Sequence, residues 1–148
     1  SGGGQRMNEN NVAYQMSLRS RECLKSKDKA RWLDMWAEDG IIEDPIGPTP
    51  LDPEGKGHST PAAREAFYDR NIANSDIEYI IHQTYTAHLE CANVVTLNVK
   101  MNIDGKHYMQ QVNGVFTYSC NEAGKLTALR GFWEFDEGMA TFKEIDAA

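Results

Sequence analysis

Several groups of residues have side chains that could do chemistry together. Asp52, Glu54 and His58 carry the donor types of a cation site, but they lack the glycine and glutamate positions of a calcium loop, so they read as solvated loop charge. Gly55-Lys56-Gly57-His58 has the residue types of a phosphate-binding loop without its spacing or the hydroxyl residue after the lysine. His82 and His88 fall on one face of a predicted strand, six residues and therefore about 20 Å apart, too far to share a metal. Cys23, Cys91 and Cys120 are odd in number, scattered and without a CxxC pair. They read as buried thiols of a reduced compartment, which makes the cytoplasm the expected location. Asp44 closes a short strand ahead of Pro45, and by residue type alone it is a turn or cap carboxylate.

The elements that must position these groups follow from length and patterning. The chain has 148 residues, of which 41% are hydrophobic and 25% charged, enough for one ordinary domain with its own core. A net charge of −7, with no run of basic residues, argues against nucleic acid as the main partner. No apolar run approaches the ~20 residues of a membrane span, so no membrane is expected. Residues 1–6 read as a cloning remnant, with the natural start at Met7 and a single domain over 7–148.

Apolar residues at helical spacing predict one helix from Val12 to Leu24 and a second carrying Trp32, Met35 and Trp36 up to Asp39-Gly40. Ile41–Asp44 reads as a strand, and residues 45–58, with four of the five prolines, as a long irregular loop of the kind that covers a binding site. Ser59 or Thr60 caps a third helix that runs from Pro61 to about Ala73. From Asp76 onward, strand patterns cover 77–89, 92–103, 107–119 and 125–135, separated by turn signals at 90–93, 104–105 and 121–124. Helices first and a meander afterwards predict an α+β domain, with helices packed on one face of a curved antiparallel or mixed sheet.

Three segments, Trp32–Gly47 with its Glu43-Asp44-Pro45-Ile46-Gly47 run, Gly57–Ala73 and Asp104–Trp133, resemble the NTF2-like superfamily in its ketosteroid isomerase-like and SnoaL-like branch. The resemblance implies a conical fold with one open mouth. It also implies proton abstraction next to a ketone by an aspartate, while a tyrosine and a protonated aspartate hold the enolate. Asp44 matches the base, and Trp133 matches an indole that can donate its N–H to it. Desolvation in a pocket walled by Trp36, Met101, Phe116 and Trp133 would raise the Asp44 pKa toward useful base strength. Gap-free counting places the family tyrosine at Ser20 and the family aspartate at Gly114, so neither enolate donor carries over. Gly114, Phe116 and Tyr118 share one strand face, and a bulge at Gly114 would be needed to swing Asn113 inward. Tyr68 aligns with a supporting tyrosine, and Ser20, Tyr118 and Gln110 are further candidate donors.

These residues frame three expectations. The first is a cofactor-independent isomerase acting on a steroid-like or polycyclic ketone, with Asp44 as base and Tyr68 or Ser20 as donor. The second is a carrier that binds the same hydrophobic molecule without chemistry. The third is a dehydratase or cyclase of the same fold, with His82, Asp44, Tyr68 and Asn113 in its site. Met109, Gln111, Val115 and Thr117 on the outer sheet face are mixed enough in character to form a homodimer interface.

Overall fold

A computed structural model describes residues 7–146; residues 1–6, read above as a remnant, lie outside the described part. Helix α1 (Val12–Ser26) begins where the Asn11 side chain accepts from the Tyr14 amide, and ends at Lys27 in a left-handed conformation. Helix α2 (Lys29–Asp34) is shorter than its apolar spacing predicts. Strand β1 (Trp36–Glu43) starts at Trp36 because the Met35 carbonyl accepts from the Leu126 amide at 2.8 Å, so a tertiary backbone bond takes the place of the next helical turn. Helix α3 (Pro61–Asn71) follows the long loop, with Thr60 as its cap. Then come β2 (Ser75–Ala87), β3 (Glu90–Ile103), β4 (Lys106–Cys120), β5 (Leu126–Phe132), helix α4 (Phe135–Ala140) and β6 (Lys143–Ile145).

The strands form one curled, open sheet in the order β1-β5-β4-β3-β2, with β6 beside β4. β1 runs parallel to β5, and the other pairs are antiparallel. Helix α1 packs across β2, β3 and β4, which encloses the core between helix and concave face. Trp32 anchors that core: it is 1% exposed, meets Trp36 edge-on at 5.8 Å and stacks on Phe67 at 6.4 Å. All three cysteines are free and buried. Among the described residues no helix is long and apolar enough to cross a membrane.

Several expectations change. Asn93, read as part of a turn, lies inside β3 with no exposure at all, paired across to Phe116. The register of β2 shifts between Ile81 and Gln83, and His88 lies beyond the strand with φ 49°, so His82 and His88 do not share a regular strand face. The run read as a strand to residue 135 stops at Phe132, and α4 replaces its end; with no side-chain cap at Glu134, this helix leaves no start signal in the sequence. The β3–β4 register is continuous from Glu90↔Ser119 to Ile103↔Lys106, so no bulge turns Asn113 inward.

The end of β5 folds over Gly114. A Cβ there would lie 2.4 Å from the Phe132 carbonyl oxygen and 3.1 Å from the Trp133 Cβ. The family's second enolate donor therefore has no room at this position: Gly114 offers a bare backbone against which Trp133 is set. Gly114→Asp is expected to lower stability by about 2 kcal/mol or more, because backbone rather than a flexible side chain must yield. Urea denaturation checks this, and an unchanged midpoint would show that β5 does not press on Gly114.

Candidate functional site

A cavity of about 450 Å³ opens between the concave sheet face, α1, α3, the long loop and α4, a size within the usual range of small-molecule sites. Its walls are mostly apolar. Among the described residues that line it, Asp44 and Arg70 are the only charged ones, and Arg70 is exposed at the end of α3.

Asp44 sits where β1 gives way to the loop. Parallel pairing of Glu43 with Arg130, reinforced by their 3.1 Å ion pair, fixes the strand end. The Ile46 amide donates to the Gly131 carbonyl at 3.1 Å and ties the start of the loop to β5; the Asp44–Pro45 bond between them is cis. The carboxylate turns inward, and Trp133 Nε1 donates to its Oδ1 at 2.7 Å. Burial among apolar groups pushes the Asp44 pKa from 3.8 up to about 6, and the indole hydrogen bond works against that rise. The result is a carboxylate that is ionised at neutral pH and still basic enough to accept a proton.

Of the residues singled out from sequence, Ser20, Asp44, Met101, Phe116, Tyr118 and Trp133 line this cavity, as does Gln110. Trp36, Tyr68, Gly114 and His82 are not on its wall. Trp36 points away because it belongs to β1: it packs beneath Arg64, whose guanidinium lies 5.7 Å from the ring centre and donates to the Gly40 carbonyl at 2.7 Å. Trp32 takes the cavity position instead and donates its Nε1–H to Ser20 Oγ at 3.2 Å. Tyr68 stands one position beyond Phe67, so the helix turns its ring off the cavity and against Trp32 at 5.4 Å while Phe67 faces inward. Burial, followed by Cys23 and Asp28, raises the Tyr68 pKa.

His82 lies on the outer sheet face. Its Nε2 is 2.8 Å from Thr96 Oγ1, and Thr96 donates to Asn113 Oδ1 at 2.6 Å. His82 and Asn113 are thus brought together, but on the side opposite the cavity, so an elimination that needs them beside Asp44 has no site. In the loop, Asp52 accepts from the Gly57 amide, Glu54 pairs with Lys56, and His58 packs on Phe67. Among the described residues no three metal-binding side chains converge.

Sequence reasoning missed two features. Phe135, Met139 and Phe142 reach the cavity from α4 and the segment after it, which left no signal. Tyr79 also lines it, and its alternation with Ile77 on β2 could have revealed it. Tyr79 joins a buried polar network: Tyr118 donates to its hydroxyl at 3.2 Å, and Asn93 Nδ2 donates to it at 3.3 Å and to Ser17 Oγ at 3.1 Å. Burial pushes the Tyr79 pKa up to about 12 and raises that of Tyr118 as well, with the Asp44 charge adding to both.

No protein-family profile and no curated protein matches the chain. Among solved structures, the Delta 5-3-ketosteroid isomerase from Mycobacterium sp. is 32% identical with a TM-score of 0.79; 91% of this chain and 99% of that one are covered. RV0760c from Mycobacterium tuberculosis, in complex with estradiol-17beta-hemisuccinate, is 32% identical with a TM-score of 0.77 over 90% of this chain and 99% of that one. A computationally designed 17-OHP binder is 30% identical with a TM-score of 0.80 over 92% and 100%.

The Asp44–Trp133 pair depends on a missing side chain. A Cβ on Gly131 would lie 2.4 Å from Asp44 Oδ1 and 3.0 Å from Trp133 Nε1. Gly131→Ala is therefore expected to part the two groups, destabilise the fold by about 1–3 kcal/mol and raise the Asp44 pKa above its present value. The indole N–H resonance of Trp133 and the pH titration of Asp44 report both changes; an unmoved resonance would contradict the close approach.

Proposed function

The chain belongs to the ketosteroid isomerase-like family of NTF2-fold proteins, and we propose that it binds a flat, hydrophobic, steroid-like ketone and shifts a proton on it without a cofactor. The observation that carries this reading is Asp44: a carboxylate with its pKa near 6, held by a single indole N–H and facing an apolar cavity. Asp44 takes a proton from the carbon next to the ketone, and the electrons of that C–H bond move onto the carbonyl oxygen. The neutral carboxyl then returns the proton to a carbon further along the conjugated system, and the double bond migrates. Trp133 steadies the carboxylate through a neutral donor, so the base is oriented without the large loss of basicity that a cationic partner would impose. Ser20 contributes to the cavity wall, where its oxygen accepts from Trp32. The steroid named with RV0760c and the activity named for the Mycobacterium isomerase support the ligand class.

A second reading has its own observation. Ser20 stands where the resemblance puts the enolate-holding tyrosine, and Gly114 has no space for the aspartate. The same cavity would then carry a steroid-like ligand without turning it over.

Asp44→Asn separates the two. An isomerase is expected to lose about 10²–10⁴-fold in kcat on a Δ5-3-ketosteroid, with ligand affinity little changed; full turnover in the variant would remove Asp44 from the mechanism. In the native protein the rate is expected to climb with pH through about 6 and level off above, because only the ionised carboxylate accepts the proton. The stability effect has the opposite sign. A folded-state pKa raised above the unfolded value means that stability is fullest below about 3.8 and is lost as pH rises through about 6. Asn, always neutral, is thus expected to stabilise the fold by about 1–3 kcal/mol at pH 8 and by about 0.5 kcal/mol at pH 4.

We further propose a homodimer built on the outer sheet face. Val115 and Phe132 pair across β4 and β5 there, Phe132 is 47% exposed, and Arg130 stacks on it at 5.5 Å. Sedimentation is expected to give twice the 16.6 kDa chain mass and, for Phe132→Glu, a monomer; a monomer for the native chain would overturn this.

A further inference from the structure

We infer that the hydroxyl pair of Tyr79 and Tyr118 is the donor to the ligand's ketone oxygen, in place of the groups lost at Ser20 and Gly114. This rests on the ketone-binding reading above and follows from counting protons. Ser17 Oγ donates to the Tyr14 carbonyl at 2.7 Å, and a carbonyl can only accept. The single Ser17 proton is thereby committed, so Ser17 can only accept from Asn93, and this fixes the orientation of the amide. Asn93 Nδ2 faces Ser17 and Tyr79, while its Oδ1 accepts from Thr84 Oγ1 at 2.8 Å and Cys91 Sγ at 3.4 Å. Tyr79 must accordingly accept from Asn93.

The two tyrosine oxygens lie 3.2 Å apart and share one hydrogen bond between them. Two hydroxyls hold two protons, and one of these fills that bond. With Tyr118 donating to Tyr79, the spare proton belongs to Tyr79; with the direction reversed, it belongs to Tyr118. In either case one O–H is left without an acceptor among the described residues, and both side chains line the cavity.

The backing reaches from β2 and β4 through Asn93 on β3 to Ser17 on α1, so the spare donor is held by elements on both sides of the core. Its chemistry suits an enolate. The charge of Asp44 holds the tyrosine protons more tightly while the carboxylate is ionised. Once Asp44 has taken the substrate proton, that hold disappears as negative charge arrives on the ketone oxygen, and the hydroxyl becomes a stronger donor at that moment. The donors behind it polarise in the same sense.

The test compares two probes, a steroid with a phenolic hydroxyl and the same skeleton without it, by tryptophan quenching at pH 5. At that pH Asp44 is mostly neutral and does not itself capture the phenol proton. The native protein is expected to bind the phenol about tenfold more tightly. Tyr79→Phe/Tyr118→Phe is expected to cut that preference below threefold while binding the deoxy skeleton within threefold of native. If the double variant does not fold, a two- to tenfold fall in the preference is expected in at least one single variant. Phenol preference unchanged in the double variant, or in both singles, would overturn the assignment. Native protein that binds the skeleton but shows no phenol preference overturns it while leaving the ketone-site reading intact. Binding of neither probe overturns both.

Discussion

The site depends on keeping one carboxylate charged in an apolar cavity with a single neutral hydrogen bond. A displacement of the Asp44 pKa from 3.8 to about 6 corresponds to roughly 3 kcal/mol of preference for the neutral form at most. That unfavourable energy is a large share of the stability of a domain this size, so the surrounding structure must hold Asp44 in place. It does so by parallel pairing of β1 with β5, by the Glu43–Arg130 ion pair, by the Ile46–Gly131 backbone bond and by the Trp133 indole. Two glycines make the arrangement possible. Gly131 leaves space for the carboxylate and the indole to meet, and Gly114 leaves space for the chain that carries Trp133.

The remaining polar groups of the interior are arranged so that little is left unpaired. Asn93 satisfies partners from three elements while itself fully buried, and the Tyr79–Tyr118 pair ends that network at the cavity. Trp32 and Ser20 form a second hydrogen-bonded pair on the cavity wall. On the outer face a separate chain, His82–Thr96–Asn113, uses residue types that would read as a site if they faced the other way. Chemistry-bearing residues on a sheet divide by strand parity, and here parity together with one bulge in β2 decides which of them face the cavity.

Set beside the resemblance that its sequence carries, the chain keeps an aspartate and an indole at the expected places and changes two other positions. Serine replaces one expected donor, and the crossing of β5 closes the place of the other. A hydroxyl pair on β2 and β4 lies in the same cavity, backed by an amide whose orientation is fixed from α1. A ketosteroid isomerase, a protein solved with an estradiol derivative and a designed 17-OHP binder are all represented among structures of about 30% identity to this chain, so the fold alone does not choose among functions. What separates these functions in the proposed reading is whether a donor in the cavity meets the ligand's oxygen.

Local sequence determined the helices with strong caps and spacing, the long loop, the four strands that follow α3 and the strand-end position of Asp44, because each is written in contiguous residues. It also carried the pairing of Asp44 with Trp133 through the family resemblance, and the inward parity of Phe116 and Tyr118 through alternation along β4. Tertiary structure alone decided the rest. Trp36 left its helix because the Met35 carbonyl found an amide 91 residues away on β5. Asn93 lies in a strand interior because partners on α1 and β2 satisfy it. Tyr68 lost the cavity to Phe67 by the turn of one helical residue against Trp32, and His82 lost it to the outer face. In each case the deciding partner lies far along the chain, and the energy that places the residue, a buried hydrogen bond or an aromatic contact, exists only once the sheet has curled around α1.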